Sequence, residues 1–299
     1  FGGIKIRITD NPTLAKLALV VQCDQTNPDQ DLAYDQRKWK DVSTFFTESN
    51  SVILTRRGLE AVPTVFAFHF RDDFGNVSET QLVKLTPKEE VALNKKLCKH
   101  YPVDDDNFVN DTGGGGVAAL FDGVYNGTGK FFLAAKGNPI PTWLTIDLGQ
   151  EASISRIATK PRWDYMPFQS GNVREWEFWG IDVDPRQDYI NNPANKDDAD
   201  YQSRHGFSRG WFMIAKGEQY KPSGYAPDGT VDGWTSEDRE YYLNSTEYEC
   251  DNTNPLTPRA FDKVRYLRIV VVNTFESWQS KQTSGGWFIG EVSPYGQIY

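Results

Sequence analysis

Histidine and cysteine are scarce in this chain. It holds three of each, His69, His100 and His205 with Cys23, Cys98 and Cys250. None of them forms a His-x-x-x-His or Cys-x-x-Cys pair, so a zinc site is not expected. Three widely spaced cysteines give no disulfide framework. Free or buried thiols are the expectation, with a single bridge left open. No nucleophile elbow is read in the sequence, and so few histidines give no Ser–His–Asp set to build from. No apolar run approaches the roughly 20 residues that span a bilayer. A basic stripe is missing as well. Residues 1–100 carry 14 Lys/Arg against 13 Asp/Glu, and the remainder 18 against 28. The net charge of −9 therefore sits in the second part, which argues against a phosphate-reading nucleic-acid surface. Phe1 is not an initiating methionine and IKIRI follows at once, so any export signal lies outside this sequence.

What is present is aromatic. Phe, Trp and Tyr make up 14%, and Trp39 alone among nine tryptophans precedes residue 140. Many aromatics on an acidic, polar background suit a wet, uncharged partner such as sugar.

The periodicity is that of strands. IKIRI (4–8), LAKLALVVQ (14–22), STFFT (43–47), SVILTRR (51–57), TVFAFHFRD (64–72) and QLVKL (81–85) alternate or are β-rich. DDFGN (72–76) marks a turn. Residues 1–90 are predicted as a small β-sandwich. TPKEEVALNKKLCKHYPVDDDN (86–107) breaks the alternation, and residues 91–110 are expected as a linker. The Asp104–Asp106 run lacks the glycine and distal glutamate of a calcium loop and reads as a solvated acidic turn. Strands resume with WLTIDL (143–148), SISRIATK (153–160), REWEFWGI (174–181), WFMIAKG (211–217), EYYLN (240–244), VRYLRIVVVN (264–273) and WFIGEVSPYG (287–296). No repeat and no βαβ alternation appears, so residues 111–299 are predicted as a two-sheet jelly roll, and the fold class as all-β. GTGK (127–130) lacks the first glycine and the Ser/Thr of a P-loop, so it is not read as one.

Several pieces, in order, resemble the factor V/VIII type C, or discoidin-like, family of galactose-binding-fold modules. They are LFDG (120–123), PTWLTIDLGQEASISRIATKPR (141–162), NVREWEFWG (172–180), VRYLRIVVVNTF (264–275) and WFIGEVSPYG. GWFMIAKGEQYKPSG (210–224), TSEDREYYLNSTEYEC (235–250), GGIKIRITDNPTLAKLALVV and FHFRDDFGNVSET extend the likeness to surface lipoproteins of gut Bacteroidetes, in which fibronectin-III-like domains precede such a module. The resemblance implies a non-catalytic, carbohydrate-binding protein at the cell surface, anchored in the outer membrane or extracellular. It also implies other outer-membrane uptake proteins as partners. The alternative is a protein-interaction or adhesion module of such an assembly, since a fold does not fix a function.

The resemblance further implies a structural calcium ion clamped between the Asp-Gly loop and a C-terminal glutamate. Carried over, the ligands are Asp122, Asn126, Thr128 and Glu291. One departure stands out, for DGVYNGTGKFF lacks the second acidic residue common in that loop. For sugar, KPRWDYMPFQSGN (160–172) offers Arg162, Trp163, Tyr165, Gln169 and Asn172, and FESWQSKQTSGG (275–286) adds Trp278. A sugar ring needs a flat aromatic for its C–H face and a few polar groups for its hydroxyl rim. Trp143, Trp176 and Trp179 lie on strands and are expected to pack. Acidic residues are plentiful enough that some pair falls at a glycosidase spacing by chance, so catalysis is not expected.

Overall fold

The computed structural model describes residues 2–9, 11, 14–110, 113–126, 131–165, 167–186, 211–225, 233–244, 246–249 (backbone only) and 263–299. It divides into two compact units, Phe1–Glu90 and Val91–Tyr299.

The first unit contains β1 (Ile4–Ile8), β2 (Leu17–Asp24), β3 (Lys40–Thr47), β4 (Val52–Arg56), β5 (Thr64–Asp72) and β6 (Gln81–Leu85). Its sheets run β1–β4 and β3–β2–β5–β6, with antiparallel pairing throughout. The two sheets pack as the β-sandwich that the alternation predicts, of the fibronectin-III/Ig-like kind that the resemblance implies. Ile4, Ile8, Leu19, Val21 and Phe66 fill its centre, with Phe68 and Phe70 packed against them. The DDFGN turn forms because Asp72 accepts the N–H groups of Phe74 and Asn76 at 2.9 and 2.8 Å while Gly75 takes φ +85°.

The second unit contains β7 (Val91–Ala92), β8 (Lys99–His100), β9 (Phe132–Ala134), β10 (Thr142–Lys160), β11 (Val173–Ile181) and β12 (Phe212–Glu218). Helix α1 (Ser236–Leu243), β13 (Thr246–Glu249), β14 (Val264–Thr274), helix α2 (Phe275–Ser280), β15 (Trp287–Ile289) and β16 (Glu291–Ile298) follow. The main sheet has the order β12–β11–β14–β10–β16–β7, with β8 and β13 also pairing to β10, and β15 pairs with β9. Leu144, Ile146 and Leu148 of β10, Trp176 and Phe178 of β11, and Leu267, Ile269 and Val271 of β14 share one buried core. Trp143 and Trp179 pack in a second cluster with Trp211 and Val270. Strand tryptophans are therefore structural, as their alternation predicts.

Two expected strands, 143–148 and 153–160, are one. β10 pairs with β14 through Asp147 and then with β16 from Ala152 onward. The change of partner falls at Asp147-Leu148-Gly149. Asp147 accepts the Gly149 N–H at 2.7 Å and binds Arg265 Nε and Nη2 at 2.6 and 3.1 Å. Gly149 has φ +70°, and a Cβ there would lie 2.5 Å from Leu97 Cβ.

The expected linker is instead part of the second unit. β7 pairs with β16, and β8 pairs with β10. Leu93 enters the core, and Trp143 Nε1 donates to the Asp105 carbonyl at 2.8 Å. The segment hides from a periodicity reading because it adds only two-residue strands. Its acidic run is not simply solvated either. Asp105 and Asp106 face the enclosed guanidinium of Arg268. EYYLN, expected as a strand, lies in α1, and part of the expected 275–286 loop is α2. Both helices begin with a capping box that the sequence carries, Thr235 with Asp238 and Thr274 with Ser277.

Candidate functional site

β10 ends at Lys160, and residues 161–172 lead to β11. Two of these residues hold left-handed backbone without being glycine, Phe168 at φ +54° and Ser170 at φ +52°. Phe168 is held there by burial against Tyr242 and Phe275, each at 5.5 Å between ring centroids. The loop is thus pinned from beneath by α1 and α2.

The five loop residues predicted to meet ligand divide into different roles. Trp163 is 40% exposed, on the surface. Arg162 is committed within the protein, its Nε donating to Asp164 at 2.6 Å and its Cζ lying 3.7 Å from the Phe131 ring centroid. Tyr165 stands edge-on to Phe288 at 4.8 Å and lies beneath the same guanidinium. Gln169 is half-buried, and its carbonyl accepts Asn172 Nδ2 at 2.7 Å. Asn172 is enclosed, and its Oδ1 accepts the Tyr242 hydroxyl. An amide so used holds α1 to the loop. Burial pushes the Tyr242 pKa up, so the phenol stays a donor.

An open cleft of about 470 Å³ adjoins Trp163. Tyr125, Lys160, Ser236, Arg239, Glu240, Leu243 and Asn244 line it with the indole. Most of these come from α1, which the strand reading of EYYLN concealed. The signal that could have found them is the capping box. Asp238 receives the N–H of Thr235 at 2.8 Å and the N–H and hydroxyl of Ser223 at 2.8 and 2.6 Å. Burial alone would raise its pKa, but these donors outweigh burial and hold it down at about 2. Trp278 is not among the cleft residues. It lies 5.1 Å from Tyr225, with Arg174 Cζ 4.2 Å from its ring centroid.

Three of the residues expected to hold calcium, Asp122, Asn126 and Glu291, are described, and Glu291 is already taken by other partners. Glu291 is buried, with Oε1 accepting Lys95 Nζ at 2.6 Å and Oε2 accepting the Gly123 N–H at 3.0 Å. Burial raises the Glu291 pKa, against the pull of Lys95 and Gly123. Asp122 is exposed and turns Oδ1 back to the Val124 N–H at 2.7 Å, and Asn126 is exposed too. Thr128, like Cys250 and His205, lies outside the described residues. Among the described residues no three His, Cys, Asp or Glu side chains gather as a metal site. Cys23 and Cys98 are free thiols. Among these residues, too, no helix is long and apolar enough to cross a membrane.

Among solved structures, a SusE-like protein of Bacteroides matches 100% of this chain and 94% of its own, at 26% identity and a TM-score of 0.55. The family 32 CBM of C. perfringens NanJ, solved with galactose, covers 69% of this chain and 99% of its own at 12% identity and a TM-score of 0.40. A CBM from a family 31 glycoside hydrolase of Clostridium perfringens covers 69% and 95% at 14% identity and a TM-score of 0.42. A search of curated proteins finds no match. Residues 1–96 match the DUF5126 family model and residues 121–296 the DUF5000 family model, each described as a domain of unknown function. With most of its second unit so matched, the chain belongs to the DUF5000 family.

Proposed function

We propose that this is a non-catalytic, cell-surface carbohydrate-binding protein whose second unit takes glycan in the cleft beside Trp163. The observation that supports this reading is an exposed indole next to an open cleft of about 470 Å³ with polar walls. The indole offers a flat apolar surface for the C–H face of a sugar ring. Ser236, Arg239, Glu240 and Asn244 offer donors and acceptors for its hydroxyl rim. Arg162, Tyr165 and Asn172 shape the loop from within and stay out of contact with the sugar. The first unit serves as a spacer. The full-length likeness to a SusE-like protein supports the surface setting, with other outer-membrane uptake proteins as neighbours.

Glycan arrays followed by calorimetry on the full chain test the reading. Saturable binding that is lost in Trp163→Ala supports it. No binding across a broad polysaccharide panel overturns it and favours protein contacts instead.

A further inference from the structure

We infer that the ammonium group of Lys95 takes the place of the calcium ion that the discoidin-like resemblance implies, so that the Asp-Gly loop is clamped without metal. The carboxylate of Glu291 joins three stretches of chain. Its Oε1 receives Lys95 Nζ at 2.6 Å, 196 residues away in sequence, and its Oε2 receives the Gly123 N–H at 3.0 Å, 168 residues away. Lys95 Nζ also donates to Ser293 Oγ at 3.2 Å. One cation thus ties the segment after β7 to β16, and the shared carboxylate ties both to the loop. A structural ion would perform the same task.

The charges match this substitution. Calcium seeks six to eight oxygens, usually with more than one carboxylate among them. Here the loop's one acid, Asp122, lies near enough to Glu291 to repel it, yet it is exposed with one oxygen occupied by the Val124 N–H, and DGVYNGTGKFF adds no other acid. A single buried carboxylate is balanced by a single ammonium, which donates hydrogen bonds and asks for no coordination shell.

Lys95 is also held in position. It begins a one-turn helix, Lys95–Leu97, capped by Asn94 Oδ1, which accepts the Lys96 N–H at 3.2 Å. On one side Leu93 is buried and donates its N–H to the Pro294 carbonyl at 3.0 Å. On the other side Leu97 abuts Gly149. The lysine therefore reaches Glu291 from a backbone fixed at both ends.

Thermal melts of the full chain with EDTA and with calcium chloride test the proposal, with calorimetric titration of calcium chloride alongside. The wild-type melting temperature is expected to stay within about 1 °C in every condition, with no saturable heat. Lys95→Ala is expected to melt lower by about 5 °C, with calcium recovering part of the loss. A wild-type melting temperature that falls on chelation, or saturable calcium binding to the wild type, overturns the proposal. So does Lys95→Ala melting like the wild type. The wild-type measurements decide the matter even if the variant does not fold.

Discussion

Arg268 has no exposed surface, and it donates both terminal nitrogens to Asp105, at 2.9 and 2.8 Å. Its Nε reaches Thr145 Oγ1 at 3.1 Å, and its Cζ lies 4.4 Å from the Trp211 ring centroid. A guanidinium taken out of water in this way depends on its carboxylate. Asp105→Ala is expected to cost about 2–4 kcal/mol in urea melts, because it leaves the enclosed charge without the carboxylate that both its terminal nitrogens reach. Exposed Asp104, one residue earlier, is the control, and its alanine variant should change stability by no more than about 0.5 kcal/mol. Equal losses from the two variants would refute the pairing.

Gly149→Ala tests the corner of β10. Its positive φ already disfavours a side chain, and the new Cβ would lie 2.6 Å from the Leu97 carbonyl oxygen, which is backbone and cannot swing aside. A loss of about 2–4 kcal/mol is expected, read as a lower urea midpoint with an unchanged slope. A midpoint at the wild-type value would mean that residues 95–98 do not pack here.

Acid should loosen the α1 wall of the cleft. The Asp238 pKa falls from 3.8 to about 2 on folding, so the folded protein prefers the carboxylate. Its contribution is present above pH 3.8 and is lost as pH falls towards about 2. The melting-temperature gap between the wild type and Asp238→Asn should be widest near neutral pH and close through that window. A gap that does not change with pH would show that the carboxylate is not the source.

Trp163 and Asn172 stand nine positions apart and should behave oppositely. Trp163→Ala removes an exposed indole, so folding stability should shift by no more than about 0.5 kcal/mol while glycan affinity drops about tenfold or more. Asn172→Ala takes from the buried Tyr242 hydroxyl its nearer acceptor, leaving the Arg162 carbonyl at 3.4 Å, and should cost about 1–3 kcal/mol of stability. Measuring both quantities for both variants separates a ligand-facing residue from one that shapes the loop.

Much of the fold was legible because alternation survives wherever a strand is long and buried on one face. IKIRI, TVFAFHFRD and QLVKL coincide with β1, β5 and β6 residue for residue. The candidate site was less legible. Arg162 and Asn172 are residue types that suit sugar, yet the protein spends both on itself, and composition cannot reveal which partner a side chain will choose. Ser236, Arg239, Glu240 and Leu243 line the cleft through a helix of eight residues whose tyrosines look like strand. Lys95 escaped notice because its partner is 196 residues away.

The seam at residues 90 and 91 bears on how such proteins can be recombined. The two family matches end and begin at residues 96 and 121, leaving the stretch between them unclaimed. Yet Asp105 and Asp106 sit in that stretch, and Lys95 lies just before it. A gene fusion cut at the start of the second match would deliver a module without the Asp105 and Asp106 carboxylates that face Arg268 and without the Lys95 ammonium that meets Glu291. The portable piece begins at Val91, so recombination that respects the fold must carry residues 91–120, of which 97–120 belong to neither family match.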